Sequence, residues 1–180
     1  MTLRIALVRG VNVGGNRKVA MADLKAMVEA LGFTDVKTLL ASGNVVFEAG
    51  DRSDDELEAL LEREAEARLG LVTHFIVRGP GAWRAMMDAN PLPGEAEREP
   101  SRFLLNVSRE TVTADMLATI RAVATPGEKV EAVDRCVYIF FGDGVADSKA
   151  VGMFGRTSLG LTATGRNWNT VRKIAELIRA

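Results

Sequence analysis

Between Val8 and Lys18 the chain reads VRGVNVGGNRK: three glycines, two asparagines and three cationic side chains in eleven residues, with no acid among them. Glycines let backbone N–H groups turn toward a ligand, and an anion can sit in such a nest of donors. Arg9, Arg17 and Lys18 add positive charge to Gly10, Asn12, Gly14 and Gly15. Two known phosphate loops do not fit. Gly10 and Gly15 have P-loop spacing, but Asn16-Arg17 stands where Lys-Ser/Thr belongs, and the glycines miss the G-x-G-x-x-G fingerprint. What remains is general anion binding, set against a plainer reading as a turn that glycines permit, with solvated basic residues.

A second acid-free stretch, TATGRNWNTVRK, runs from Thr162 to Lys173. Asn167 is placed to cap a following helix, where exposed N–H groups attract anions, and Arg166 can grip a phosphate or carboxylate through two hydrogen bonds. A structural reading stands beside it: capping by Asn167, packing by Trp168, and solvated Arg172 and Lys173. The remaining polar residues point to structure. His74 alternates with Phe75 in a strand pattern, and Cys136 opens an apolar run that suits burial. The eight acids from Asp51 to Glu66 decorate an amphipathic helix as a solvated face, and Gly142 to Gly144 with Asp147 reads as a turn. One histidine and one cysteine rule out the usual Cys/His zinc sets and an intramolecular disulfide, and no Ser-His-Asp arrangement can be assembled. No metal site and no cofactor is expected.

The elements that must hold these residues follow from periodicity. LRIALVR is a short apolar strand, and MADLKAMVEALG places Leu24, Met27, Val28 and Leu31 at helical spacing with Gly32 as its stop. VKTLL and VVFEA are strands joined by a tight turn at Ser42-Gly43-Asn44, where Gly and Asn tolerate positive φ. Ser53 and Glu56 form a capping-box signature ahead of a helix facing inward with Leu57, Leu60, Leu61, Ala65 and Leu69. VTHFIVR closes a β-α-β-β-α-β order. After a short helix near Trp83 to Met87 and a Pro-rich connector over 91–100, the order repeats: RFLLNVS, a helix over Thr113 to Ala124, KVEAVD with CVYIFF, a helical stretch near Ser148 to Phe154, and a strand in LGLTAT. A last helix runs from Asn167 to Arg179. The repeat is one of element order, without residue-level identity.

These patterns predict an α+β protein of two ferredoxin-like β-α-β-β-α-β units packed together, plus a C-terminal helix. The first unit spans 1–90 and the second 101–180, forming one compact body. Both sheet faces carry apolar residues, so packing the halves together hides the spare faces. In this topology the loop after the first strand and the Ser42-Gly43-Asn44 turn emerge at the same end and form one surface. How the Arg166 segment lies relative to Arg9 is not written in local pattern.

With 23 basic and 24 acidic residues there is no global field to hold DNA or an anionic membrane, so attraction for anions must be local. The N-terminal apolar run between Arg4 and Arg9 is too short for a signal-peptide core, and no run approaches the length of a membrane span. A soluble cytoplasmic protein is expected. An aromatic content of 6% without an RRM-type aromatic-basic strand argues against RNA. The oligomeric state is open.

Together, ALVRGVNVGG, MADLKAMVEALGFTDVKTLLASGNVVF, Asn90-Pro91 and TGRNWNTVRKIAEL resemble the domain of unknown function 1697 family over nearly the whole chain. The resemblance implies a compact α+β protein of two ferredoxin-like halves and no particular activity. It marks Arg9, Gly10, Asn12, Gly14, Gly15, Ser42, Gly43, Asn44, Arg166, Asn167 and Thr170. Two positions depart from the family pattern: Ala41 stands where glutamine is usual, and Gly165 is unusual before Arg166-Asn167.

The leading expectation is a module binding a small phosphate-bearing ligand through Arg9, Gly10, Asn12, Gly14, Gly15, Lys18, Ser42, Gly43, Asn44, Arg166 and Asn167. One alternative is an enzyme on the same surface, with Arg9 and Arg166 stabilising charge and Ser42 or water as nucleophile; neither segment offers it a general base. Another is a structural or protein-interaction module.

Overall fold

The structure is a computed structural model that describes residues 2–12, 17–142 and 144–179. Gly14, Gly15 and Asp143 lie outside the described residues. The chain divides into two compact units, Met1–Arg84 with Ile174–Ala180 and Ala85–Lys173, and is a mixed α+β fold with two four-stranded antiparallel sheets.

In the first unit the elements are β1 (Leu3–Val8), α1 (Met21–Ala30), β2 (Thr34–Leu39), β3 (Asn44–Glu48), α2 (Asp54–Leu69), β4 (Phe75–Arg78) and the start of α3 (Pro80–Asp88), with strand order β2-β3-β1-β4. The core holds Ala6, Val8, Val45, Phe47, Phe75 and Val77 from the strands and Leu24, Val28, Leu57, Leu61 and Ala65 from the helices. Ile5, Leu7, Val46 and Ile76, which alternate with the core strand residues, are also buried. α2 begins as its sequence predicts: Ser53 Oγ accepts from Glu56 N–H at 3.3 Å, and Ser53 N–H donates to Glu56 Oε2 at 2.8 Å. The β2–β3 turn is wider than expected. Its left-handed residues are Leu40 (φ 60°) and Gly43 (φ 80°), whereas Asn44 is already the first residue of β3.

The second unit contains α4 (Pro93–Arg98), β5 (Phe103–Ser108), α5 (Ala114–Val123), β6 (Lys129–Val133), β7 (Cys136–Phe140), α6 (Lys149–Gly152) and β8 (Ala163–Asn167), followed by α7 (Trp168–Leu177). Its strand order is β6-β7-β5-β8. The Pro-rich connector is helical in part, because Pro93 sits at the start of α4, where an N–H would have no partner in the helix anyway. The expected strand in LGLTAT lies further along the chain. Leu159 and Leu161 are buried in the core cluster from outside the sheet, and the ladder with β5 is made by Ala163 to Asn167. Arg166 and Asn167 therefore stand on a strand rather than in a loop. In α7, Trp168, Val171, Ile174 and Ala175 are buried, as is Ile178 just beyond it.

The two sheets share one register. Leu7 pairs with Asn44 and Val8 with Phe75 in the first; Val107 pairs with Cys136 and Ser108 with Ala163 in the second. The bonds just beyond the central strands match as well. Val8 N–H donates to Gly43 O and Arg9 N–H to His74 O, while Ser108 N–H donates to Arg135 O and Arg109 N–H to Thr162 O. Residues 5–9 thus correspond to residues 105–109, with Arg9 matching Arg109; the residues that follow, Gly10 and Glu110, differ in backbone, Gly10 being left-handed at φ 63° and Glu110 not.

Candidate functional site

The loop after β1 and the β2–β3 turn meet at one end of the first sheet, as the topology predicts. Asn12, left-handed at φ 54°, does most of the joining. Its Nδ2 donates to Ala41 O at 2.7 Å and Val19 O at 2.9 Å, and its Oδ1 accepts from Val19 N–H at 3.0 Å. One side chain thereby closes the loop at residues 12 and 19 and ties it to the turn. Residue 41 contributes to this bond through its backbone carbonyl, which does not depend on its side chain. Asn44, fully buried, donates from Nδ2 to Leu39 O at 2.7 Å and to Ser42 Oγ at 3.0 Å, holding the turn from inside. At Gly43 a Cβ would lie 2.9 Å from both Val8 Cβ and Val11 Cγ2, so only glycine lets the turn approach the loop this closely.

Those residues build the loop; others are displayed by it. Gly10 (φ 63°) is exposed, with nothing within 4 Å of where a Cβ would stand. Arg17 and Lys18 are exposed and pair with no carboxylate among the described residues. Arg9 is partly buried; its carbonyl accepts from Thr73 Oγ1 at 2.6 Å. The loop runs over residues 9–20, against 109–113 at the equivalent place in the second unit, and the extra length falls inside the stretch that Asn12 closes. Loops longer than their frame requires are where binding groups are commonly carried.

The Arg166 segment has a different character. Arg166 is 5% exposed on β8, with Nη1 donating to Thr164 Oγ1 and Gly165 O, both at 2.8 Å. Burial lowers its pKa to about 10, so it remains a cation at neutral pH. Asn167 Oδ1 accepts from Thr170 N–H at 3.0 Å and Thr170 Oγ1 at 3.1 Å, capping α7. Gly165 has a steric cause. It faces Asn106 across the β5–β8 ladder, and a Cβ there would lie 2.8 Å from Asn106 Oδ1 and 2.9 Å from Leu104 Cδ2.

Three acids have roles that pattern did not reveal. Glu58 and Glu62, on the α2 face taken as solvated, reach the outer edge of β4: Glu58 Oε1 accepts from Val77 N–H at 2.8 Å and Glu62 Oε1 from Phe75 N–H at 3.0 Å. Four residues along a helix rise about 6 Å, close to the roughly 6.8 Å between alternate strand residues, so the two carboxylates match the free donors of this edge. Glu58 is 4% exposed and lies 3.6 Å from the buried Arg78 Nη1. His74 stands just before β4 rather than within it, exposed, with Nδ1 3.3 Å from Glu62 Oε1. The third acid, Glu110, accepts at Oε2 from Ser108 Oγ at 2.9 Å and Thr162 N–H at 2.6 Å. A regular i,i+4 acid pair beside a short apolar strand was the available signal for the first two. Nothing local marks Glu110.

Elsewhere, a cleft of about 610 Å³ opens beside Arg121 and the Thr125 to Glu131 stretch. Its cations are already engaged: Arg121 with Val130 O and Glu131, and Lys129 with Glu95. Cys136 is buried, and no cluster of three or more His, Cys, Asp or Glu among the described residues could hold a metal ion. No helix among the described residues is long and apolar enough to cross a membrane.

Comparison with curated proteins finds no match. The conserved bacterial protein SP0830 from Streptococcus pneumoniae has a similar solved structure, with a TM-score of 0.75 and 24% identity over 97% of each chain. At that identity the likeness is one of fold. The family model described as "Protein of unknown function (DUF1697)" matches residues 1–138, which include the Asn12 loop and the Ser42-Gly43-Asn44 turn. The chain belongs to the DUF1697 family.

Proposed function

We propose that the protein is a cytoplasmic binding module of two ferredoxin-like units, the first of which holds a small phosphate-bearing ligand on the loop after β1. The observation that carries this reading is the loop itself. Its base is closed by Asn12, and it displays Arg17 and Lys18 with no carboxylate partner among the described residues. Cations left without partners on a closed loop attract anions locally even in a chain of near-neutral net charge. Asn12, Gly43 and Asn44 shape the site, and contact falls to Gly10, Arg17 and Lys18. The β-α-β-β-α-β order with strands β2-β3-β1-β4 supports the ferredoxin-like description of the first unit. A lone, buried thiol suits a reducing compartment.

The test is a thermal-shift screen against nucleotides, sugar phosphates and simple anions, run beside the double variant Arg17→Ala/Lys18→Ala. A ligand at a hundred times its Kd adds about 2.7 kcal/mol, or roughly 5–10 °C for a chain of this size. The expected result is such a shift in the parent, reduced in the variant, with unchanged melting of the two unliganded proteins. Equal shifts in both, or none from any anion, would remove the loop from consideration.

A further inference from the structure

At the matching end of its sheet the second unit holds an anion of its own. Thr162 corresponds to His74, and Glu110 follows the last matched bond of its sheet as Gly10 does in the first unit. In the second unit the Glu110 carboxylate is an internal oxyanion. Besides the bonds to Oε2 from Ser108 Oγ and Thr162 N–H, its own N–H donates to Ser108 Oγ at 3.1 Å. Burial by itself would raise its pKa, but the hydrogen bonds from Thr162 and its neighbours outweigh that and hold the carboxyl below its ordinary range. This end of the sheet therefore favours negative charge, and the chain supplies that charge from within.

The same end of the first sheet keeps the backbone donor and has no acid on its loop, although Val8 stands where Ser108 supplies its hydroxyl and the Glu62 carboxylate lies 3.3 Å from His74 Nδ1. His74 N–H, the counterpart of Thr162 N–H, donates to nothing among the described residues, and neither does Gly10 N–H. Gly10 has no side chain, and the space its Cβ would enter is open. Arg9 precedes it as Arg109 precedes Glu110.

We propose that the phosphate of the ligand binds at the Gly10–His74 end of the first sheet, in the position that the Glu110 carboxylate takes in the second. This rests on the phosphate-binding reading of the loop and gives it a location. Gly10→Glu then installs an internal competitor, whereas Gly10→Gln carries the same backbone strain at positive φ without the charge.

The experiment is calorimetric titration of the full chain with inorganic phosphate at neutral pH, for the parent, Gly10→Gln and Gly10→Glu, with circular dichroism as the folding control. The expected result is binding by the parent and by Gly10→Gln, with affinity in Gly10→Glu weaker by about tenfold or more than in Gly10→Gln. Equal affinity in the two variants overturns the location and leaves the anion-binding reading standing. A parent that does not bind phosphate overturns both. Should Gly10→Glu fail to fold, Glu110→Gly decides: emptying the second cradle is expected to raise the stoichiometry from one phosphate per chain to two, and unchanged stoichiometry overturns the equivalence.

Discussion

The loop after β1 and the loop after β5 leave their sheets through the same backbone bonds, yet one spans residues 9–20 and the other 109–113. The short loop reaches its hairpin turn through backbone, with Val112 N–H on Asp134 O, and brings its own carboxylate. The long loop reaches its turn through the Asn12 side chain and carries glycine where the acid would be. Side chains also meet the sheet edges. β4 is sealed by two carboxylates of α2, and on the opposite edge of the second sheet, at β6, the carbonyl of Val130 accepts from Arg121 of α5. A common backbone frame thus leaves the same unsatisfied groups in both units, and the side chains decide whether they are met from inside.

That contrast can be broken most severely at the β4 edge. Glu58→Ala removes the acceptor for Val77 N–H and leaves the Arg78 charge buried beside it, and is expected to cost about 3–5 kcal/mol in urea denaturation. Glu58→Gln, which still accepts the N–H, should cost distinctly less. A loss in Glu58→Ala below about 1 kcal/mol would mean the edge is held by packing alone.

A smaller effect separates the two turns. Gly43→Ala forces a Cβ to 2.9 Å from Val8 and Val11 at φ 80°, for an expected cost of about 2–4 kcal/mol. Arg135, the counterpart in the second sheet, is exposed and already carries a Cβ, so Arg135→Ala should stay within about 0.5 kcal/mol. Similar losses at both positions would show that the turns do not differ as their packing indicates.

The smallest effect is a pH dependence confined to the second loop. Because Glu110 titrates below its ordinary value in the folded chain, its carboxylate stabilises the fold at neutral pH. That contribution is lost as pH falls from about 5 through the folded pKa. Parent and Glu110→Gln should therefore differ in melting temperature at pH 7 and converge in acid, and a gap that widens in acid would contradict the internal-anion role.

Much of the fold is legible from local pattern because its causes are local. The Ser53–Glu56 box, the Leu57-Leu61-Ala65 face and the apolar strands β1 and β7 each depend on residues a few positions apart. The meeting of the Asn12 loop with the Ser42-Gly43-Asn44 turn followed from topology. Patterning misassigned LGLTAT because Leu159 and Leu161 are apolar for a core that they enter from outside the sheet. It misassigned Glu58 and Glu62 because helical periodicity reports polarity and not the strand edge lying opposite.

Local sequence alone was enough to establish an acid-free, glycine-rich loop in a nearly neutral chain, the caps that start α2 and α7, and the order of the elements. The tertiary structure alone decided that Arg166 is buried on a strand, that Gly165 yields space to Asn106, and that Glu110 follows β5 as Gly10 follows β1. Each of these depends on strand register, and register is set by pairing between residues far apart in the chain, to which no short window of sequence is sensitive.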